Sequence, residues 1–402
     1  MGEYQEHSYD EAWERAKAHR TIANETPYAQ NWSRELAEKW VRDIPEFPEI
    51  GTPETPILEF DLTSENLGKI LVKDESRLEI NPTGTMKDRM ARSCANLYLY
   101  AAKYHLELSK TEPGYEQRIP QMHLPRYSLL TSGNAGLALA RAFAQFDLPP
   151  PKLLLDSHTP GEMIEKLKIN RADVYLADLS TNPFSGRSSK EEPMNTWQIK
   201  DITNNTGGSD LTSAGGANME VEVPAIFYHK MIRDSFKRNP DEIYTPYGSG
   251  VLHSEFLVAQ FLTWLSKETG ASTEGFTPDE VNLIKNIEKI KIFGAEPKDS
   301  NSIANKLTAA AKPFAEYFEE KLRSYRKRGS TSPESGVGKV SETEIKKAHM
   351  LMKKYGEPMG LRSEPSAAAG FALYIKRKRA GLVPVNTKVL VINTGCGIIS
   401  EA

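Results

Sequence analysis

Short apolar runs that end in turn residues, each followed by a segment of helical spacing, recur along this chain, and that alternation admits few folds. The runs are Ile70–Val72, Tyr127–Thr131, Lys152–Leu155, Val174–Ala177, Ile243–Thr245, Lys291–Gly294 and Val389–Asn393. Helical spacing is found at about Lys87–Leu106, Ala135–Phe146, Gly161–Asn170, Leu252–Lys267, Ser341–Lys354 and Ser366–Arg379. A strand buried on both faces reads as an unbroken apolar run, and its crossover to a parallel neighbour usually contains a helix. The alternation therefore predicts an α/β fold with mostly parallel sheets covered on both faces. Ser341 followed by Glu344 three residues on forms a capping box, which fixes the start of that helix.

Composition narrows the function classes. A chain of 402 residues, 39% hydrophobic and 26% charged, is long enough for two domains and ordinary for a folded protein. The net charge is −3 and the basic residues are dispersed, so a nucleic-acid partner is not expected. The short basic run Arg323–Arg328 reads as a solvated helix end or linker. Cys94 and Cys396 are too far apart in the chain to suggest a disulfide framework or a metal site. No run approaches the ~20 apolar residues of a membrane span, and Met1–Asp10 lacks the apolar core of a signal peptide. A cytoplasmic protein is expected, with the sequons at Asn31 and Asn204 coincidental.

Within this frame one lysine stands out. The segment Asn81-Pro82-Thr83-Gly84-Thr85-Met86-Lys87-Asp88-Arg89 has turn chemistry up to Gly84, and Met90, Cys94, Leu97, Tyr98 and Ala101 then follow at helical spacing. Lys87 thus sits in the first turn of a helix. There the positive end of the macrodipole and any apolar surroundings disfavour the ammonium form, and only the neutral amine attacks an aldehyde. The alternative is a solvated lysine beside Asp88 and Arg89.

Two glycine-bearing turns extend the pattern. Ile243-Tyr244-Thr245 runs into Gly248-Ser249-Gly250-Val251-Leu252, a strand–turn–helix that presents backbone N–H groups to an anion. Tyr127–Leu130 runs into Thr131-Ser132-Gly133-Asn134-Ala135-Gly136, a second such turn suited to a carboxylate, or else a helix capped by Ser132 or Asn134. Ile292–Pro297, Ser363–Ala369 and Val389–Gly395 complete an ordered set.

Taken in order over roughly residues 50 to 400, these segments resemble the fold type II family of pyridoxal 5'-phosphate enzymes, which includes cysteine synthase, threonine synthase, threonine dehydratase and serine racemase. The resemblance implies two three-layer α/β/α domains with mostly parallel sheets and the cofactor in the cleft between them. It implies Lys87 as the Schiff-base lysine, Thr131, Ser132, Gly133, Asn134 and Ala135 at the substrate carboxylate, and Asn134 also against the cofactor's 3'-oxygen. Gly248, Ser249, Gly250, Val251 and Leu252 take the phosphate; Ser249 and Val251 replace glycines usual in the family. Thr394 falls where the family places a hydroxyl against the pyridine nitrogen, and Glu364 falls near the ring edge.

The same resemblance narrows the reaction. A neutral partner for the ring nitrogen favours elimination and replacement over transamination. Dehydratases and racemases usually carry His after the Asn, whereas this chain has Ala135, and Asp88 also points toward the synthases. A cysteine-synthase-like β-elimination and replacement on an amino acid is the first expectation. A threonine-synthase-like γ-elimination and β-addition, an ammonia-lyase, and a non-catalytic metabolite-binding descendant are the alternatives. The family is usually dimeric, which implies a homodimer.

Domain expectations follow. Residues 1–50 form a helical extension with helices at Asp10–His19 and Ser33–Asp43; 51–90 and 180–402 form a large cofactor-binding domain; 91–179 form a small mobile substrate-loop domain. The Ser-, Asn-, Gly- and Thr-rich stretch 181–221 is expected to be a lid, and 328–340 a flexible connection.

Overall fold

The computed structural model describes residues 21–24, 31–45, 54–122, 124, 126–131, 133–156, 159–177, 209–210, 224–248, 250–308 and 322–397. The expected helix at Asp10–His19, most of the 181–221 stretch, and the two site residues Ser132 and Ser249 lie outside the described residues. The chain divides into two units, one drawn from Met1–Gly51 and Lys87–Glu220, the other from Thr52–Met86 and Val221–Ala402.

The first unit carries β1 (Thr21–Asn24), β4 (Tyr127–Leu130), β5 (Lys152–Asp156), β6 (Asp173–Ala177) and β7 (Ser209–Asp210) in the order β1-β6-β5-β4-β7. Only β1 runs antiparallel to its neighbour. Its longer helices among the described residues are α1 (Arg34–Asp43), α2 (Lys87–Thr111), α3 (Asn134–Gln145) and α4 (Gly161–Ile169). Helix α1 starts where expected because the Ser33 hydroxyl accepts the Leu36 N–H. It packs on α2 through aromatic edges: Trp40 meets Tyr98 at 5.3 Å, and Tyr98 in turn meets Tyr127 of β4 at 5.6 Å. On α2, Met90, Ala91, Cys94, Ala95, Tyr98, Leu99 and Ala102 form the buried stripe that helical spacing requires.

The second unit carries β2 (Ile57–Leu62), β3 (Gly68–Asp74), β8 (Glu242–Pro246), β9 (Lys291–Pro297), β10 (Gly336–Val340) and β11 (Val389–Asn393) in the order β10-β9-β8-β11-β3-β2. All neighbours are parallel except β2 with β3. The helices are α5 (Pro224–Phe236), α6 (Val251–Glu268), α7 (Pro278–Asn286), α8 (Glu342–Gly356) and α9 (Ala369–Arg379). Successive strand residues point to opposite faces. Tyr244 meets Tyr374 of α9, whereas Thr245 shares a hydrogen bond with His253 of α6, so α9 and α6 cover opposite faces and the unit has three layers. Phe60, Ile70, Val72, Val389 and Val391 join Phe371, Ala372 and Met352 in the core on the α8–α9 side. The Ser341–Glu344 capping box is present at the start of α8.

Two differences from the sequence reading have plain causes. Residues 336–340, expected to be part of a flexible connection, form the edge strand β10; Gly336-Val337-Gly338-Lys339-Val340 gives little side-chain signal, and the strand is held by its pairing with β9 from Phe293 to Pro297. Ser335 helps by accepting the Ile292 N–H at 3.0 Å. Strand β2, which the apolar-run criterion misses, alternates exposed Glu59 and Asp61 with buried Phe60 and Leu62, the pattern of an edge strand with one wet face. Among the described residues no helix is long and apolar enough to cross a membrane.

Candidate functional site

In the second unit the carboxyl ends of β3 and β11 lie side by side, with Asp74 in register with Asn393. Both are fully buried. Asp74 accepts from the Ser76 N–H at 2.9 Å, the Ser76 hydroxyl at 2.5 Å and the Asn393 amide at 3.3 Å, and pairs with Arg77 at 2.7 Å. Burial nonetheless pushes its carboxyl above the usual range. The Asn393 amide also donates to the Arg362 carbonyl, and the Arg362 N–H donates to Ser76. Loss of any one partner leaves a buried polar group unsatisfied, so this layer sets the strand ends rigidly.

The loop that carries the expected lysine rests on this layer. Asn81 donates to the Glu75 carbonyl at 2.9 Å and to its carboxylate at 3.1 Å, and the Thr55 hydroxyl donates to the other Glu75 oxygen at 2.5 Å. The Gly84 carbonyl accepts the Cys396 N–H, and the Thr394 carbonyl accepts the Met86 N–H, each at 3.0 Å. Thr85 bridges Gly395. At Gly395, φ is +119° and a Cβ would fall 2.1 Å from the Gly84 oxygen, so only glycine permits this approach. The next residue after Met86 is Lys87, the first residue of α2, and its side chain is half-buried.

Thr394 ends β11 half-buried, and its hydroxyl makes no hydrogen bond among the described residues. Cys396 beside it is buried, and burial raises its thiol above the ordinary range, consistent with a packing role.

The glycine turn after β8 opens α6. Gly250 is the N-cap, with φ +88°, so among the described residues the first-turn N–H groups from Val251 onward have neither an intrahelical partner nor a side-chain cap. Gly248 is half-buried, and a Cβ there would come 3.1 Å from the Lys306 carbonyl. Leu252 is buried and Val251 half-buried.

In the first unit, β4 passes through Thr131 into α3, whose N-cap is Gly133. The buried Thr131 hydroxyl accepts the N–H groups of Gly133 at 3.1 Å and Gly136 at 3.3 Å; of the two caps that sequence suggested, Ser132 lies outside the described residues. Asn134 and Ala135 are half-buried at the helix start.

Pyridoxal 5'-phosphate requires an amine, an anion cradle and a neutral polar atom for its ring nitrogen. The residues fit: Lys87 opens a helix, α6 begins on an uncapped glycine, and the Thr394 hydroxyl is unengaged among the described residues. The sequence reading missed Tyr247, His253 and Gly294 around the glycine turn, although a tyrosine and a histidine flanking Gly248 and Gly250 were visible as polar-tipped residues in an apolar setting.

The sequence profile of the family described as "Pyridoxal-phosphate dependent enzyme" matches residues 49–395. No curated protein sequence matches the chain. Among solved structures, serine racemase from Dictyostelium discoideum is similar at 18% identity, covering 92% of this chain and 99% of that one, with a TM-score of 0.53. O-acetylserine-dependent cystathionine beta-synthase from Helicobacter pylori is similar at 17% identity, over 87% and 94%, with a TM-score of 0.52. Diaminopropionate ammonia lyase from Escherichia coli is similar at 15% identity, over 94% of each chain, also with a TM-score of 0.52. These likenesses concern the fold, an α/β architecture with mostly parallel sheets.

Proposed function

This chain belongs to the pyridoxal-phosphate-dependent enzyme family, and from that premise we propose that it takes an amino-acid substrate through Cα deprotonation and β-elimination or β-replacement, in the manner of cysteine synthase. The observation that carries the reading is the link from Thr394 to Lys87: the Met86 N–H is fixed on the Thr394 carbonyl, and Lys87 follows at once as the first residue of a 25-residue helix.

When bound, pyridoxal 5'-phosphate supplies an electron sink for negative charge at the substrate α carbon. Lys87 is assigned to anchor the cofactor and then to move the α proton. Its place as the half-buried first residue of α2 supports this assignment. The N–H groups of Val251 and Leu252, with Gly248, Ser249 and Gly250, are assigned to the phosphate, since unsatisfied helix-start donors are an anion site. Thr394 is assigned to the ring nitrogen as a neutral partner, which keeps the sink mild and supports elimination and replacement. Thr131, Ser132, Gly133, Asn134 and Ala135 are assigned to the substrate carboxylate, with Asn134 shared with the cofactor. The family resemblance further supports a cytoplasmic homodimer.

The test is spectroscopic. The purified protein is expected to show a band near ~410 nm that borohydride abolishes, with the reduced adduct mapped to Lys87 by peptide mass. Quenching by O-acetylserine, serine, phosphohomoserine or threonine then sorts the leaving groups. A colourless protein that pyridoxal phosphate does not restore would sink the enzyme reading in favour of metabolite binding.

A further inference from the structure

The surroundings of the Gly248 and Gly250 turn contain an aromatic arrangement that the reaction itself does not explain. Tyr247 is 4% exposed, and its N–H is tied to the Ala295 carbonyl at 2.8 Å. Its ring lies between two glycines. A Cβ on Gly294 would fall 3.0 Å from Tyr247 Cδ2, and one on Gly250 would fall 3.2 Å from the Tyr247 hydroxyl. The imidazole of His253, in the first turn of α6, meets the ring edge-on, with centroids 5.7 Å apart and planes at 81°. His253 is wholly buried; its Nδ1 shares a hydrogen bond with Thr245 Oγ1 at 3.2 Å, and that hydroxyl also donates to the Phe293 carbonyl at 3.4 Å.

We propose that Tyr247 and His253 are positioning residues for the phosphate of the cofactor: the Tyr247 ring, wedged against Gly294 and Gly250 and held by His253, fixes the backbone at Gly250 so that the first N–H groups of α6 stay open to a phosphate monoester. This assignment rests on the cofactor reading given above. Shape, not charge, is what the histidine contributes. Burial holds its pKa down to about 3, so the imidazole stays neutral at working pH and adds no cation to the anion site. The affinity then depends on backbone donors whose direction is set at Gly250, which holds a φ of +88° beside the Tyr247 ring. A methyl group at 294 meets the Tyr247 ring and the His253 Nδ1, 3.3 Å away, before it meets any other side chain. Gly294 is therefore the position through which the wedge can be moved without touching a proposed ligand of the phosphate.

A double-mutant cycle tests this in the full-length protein, stripped of cofactor and titrated with pyridoxal 5'-phosphate. The readouts are the dissociation constant and the phosphorus NMR shift of the bound phosphate, not turnover. Gly294→Ala alone is expected to weaken binding about tenfold or more and to move the phosphorus signal. In a Tyr247→Leu background, which already binds weakly, Gly294→Ala is expected to cost less than about twofold, because the ring it displaces is gone. Tyr247→Phe keeps the wedge and is expected to bind within about threefold of wild type. Equal costs of Gly294→Ala in both backgrounds, or a Tyr247→Leu protein with wild-type affinity and phosphorus shift, would overturn the assignment. Borohydride fixation of the cofactor on Lys87 in the wild type separates this outcome from failure of the cofactor reading; without any adduct both readings fall together.

Discussion

The Thr394 carbonyl accepts the Met86 N–H at 3.0 Å, and the same three residues of chain after β11 also receive Thr85 and Gly84. One strand end therefore fixes the polypeptide that leads into Lys87. Changes at Met86 or at Thr394 are therefore expected to be felt along the 84–86 segment.

Lys87→Ala is expected to abolish the ~410 nm band and to lower turnover by about 10³-fold or more, with the far-ultraviolet dichroism unchanged. Retained turnover with normal cofactor loading would remove the lysine from the mechanism.

Thr394→Val is expected to leave unfolding within about 0.5 kcal/mol of wild type, because the hydroxyl has no partner to lose among the described residues. The bound-cofactor spectrum should shift and turnover should fall at least about tenfold, with Thr394→Ser restoring both. Equal spectra in wild type and Thr394→Val would show that the hydroxyl does not serve the ring.

Gly395→Ala places a methyl group on the Gly84 oxygen and forces φ of +119° on a residue that resists it. A loss of about 2–5 kcal/mol in urea unfolding is expected, together with weaker cofactor binding. A variant as stable as wild type would mean that the 84–86 segment moves aside freely.

The strand ends and the lysine were legible because each is announced locally. Val389–Ile392 is apolar throughout since both faces of the strand are covered, and the turn residues before Lys87 mark a helix start in any context. The Met86–Thr394 link joins residues far apart in the chain, and nothing at either position signals the other. The hydrogen bonds that Thr131 accepts at the start of α3 were not legible, because the usual cap frame puts the acceptor at the residue preceding the helix, and here that residue is Gly133. Strand β10 escaped notice because two of its five residues are glycine.

Thr131→Val removes the acceptor for the Gly133 and Gly136 N–H groups at the start of α3 and is expected to cost about 1–2 kcal/mol, with Thr131→Ser recovering most of it. If Thr131 also meets the substrate carboxylate, KM rises in the valine variant beyond what its stability loss explains, which steady-state kinetics well below the melting temperature would reveal.

His253 gives a pH signature. Its pKa is about 3 when folded against 6.5 as a free side chain, so between those values the unfolded chain binds more protons and stability rises with pH. The contribution is complete above pH 6.5 and is lost as the pH falls toward 3. His253→Gln is expected to flatten the dependence between about pH 5 and 6.5 by up to about 1.4 kcal/mol per unit. Parallel curves for the two proteins, measured by urea unfolding, would mean that the imidazole titrates normally.

Strand β11 follows every other strand of its sheet in sequence, yet it lies between β8 and β3. While a ribosome makes this chain from the amino end, β3 with β2, and β8 with β9 and β10, are complete and still lack the strand that joins them. Two open edges wait together, and such edges recruit other chains. Nascent protein is therefore exposed to misassociation until Val389–Asn393 has been made, and a stop codon shortly before Val389 should yield an aggregate and not a folded sheet.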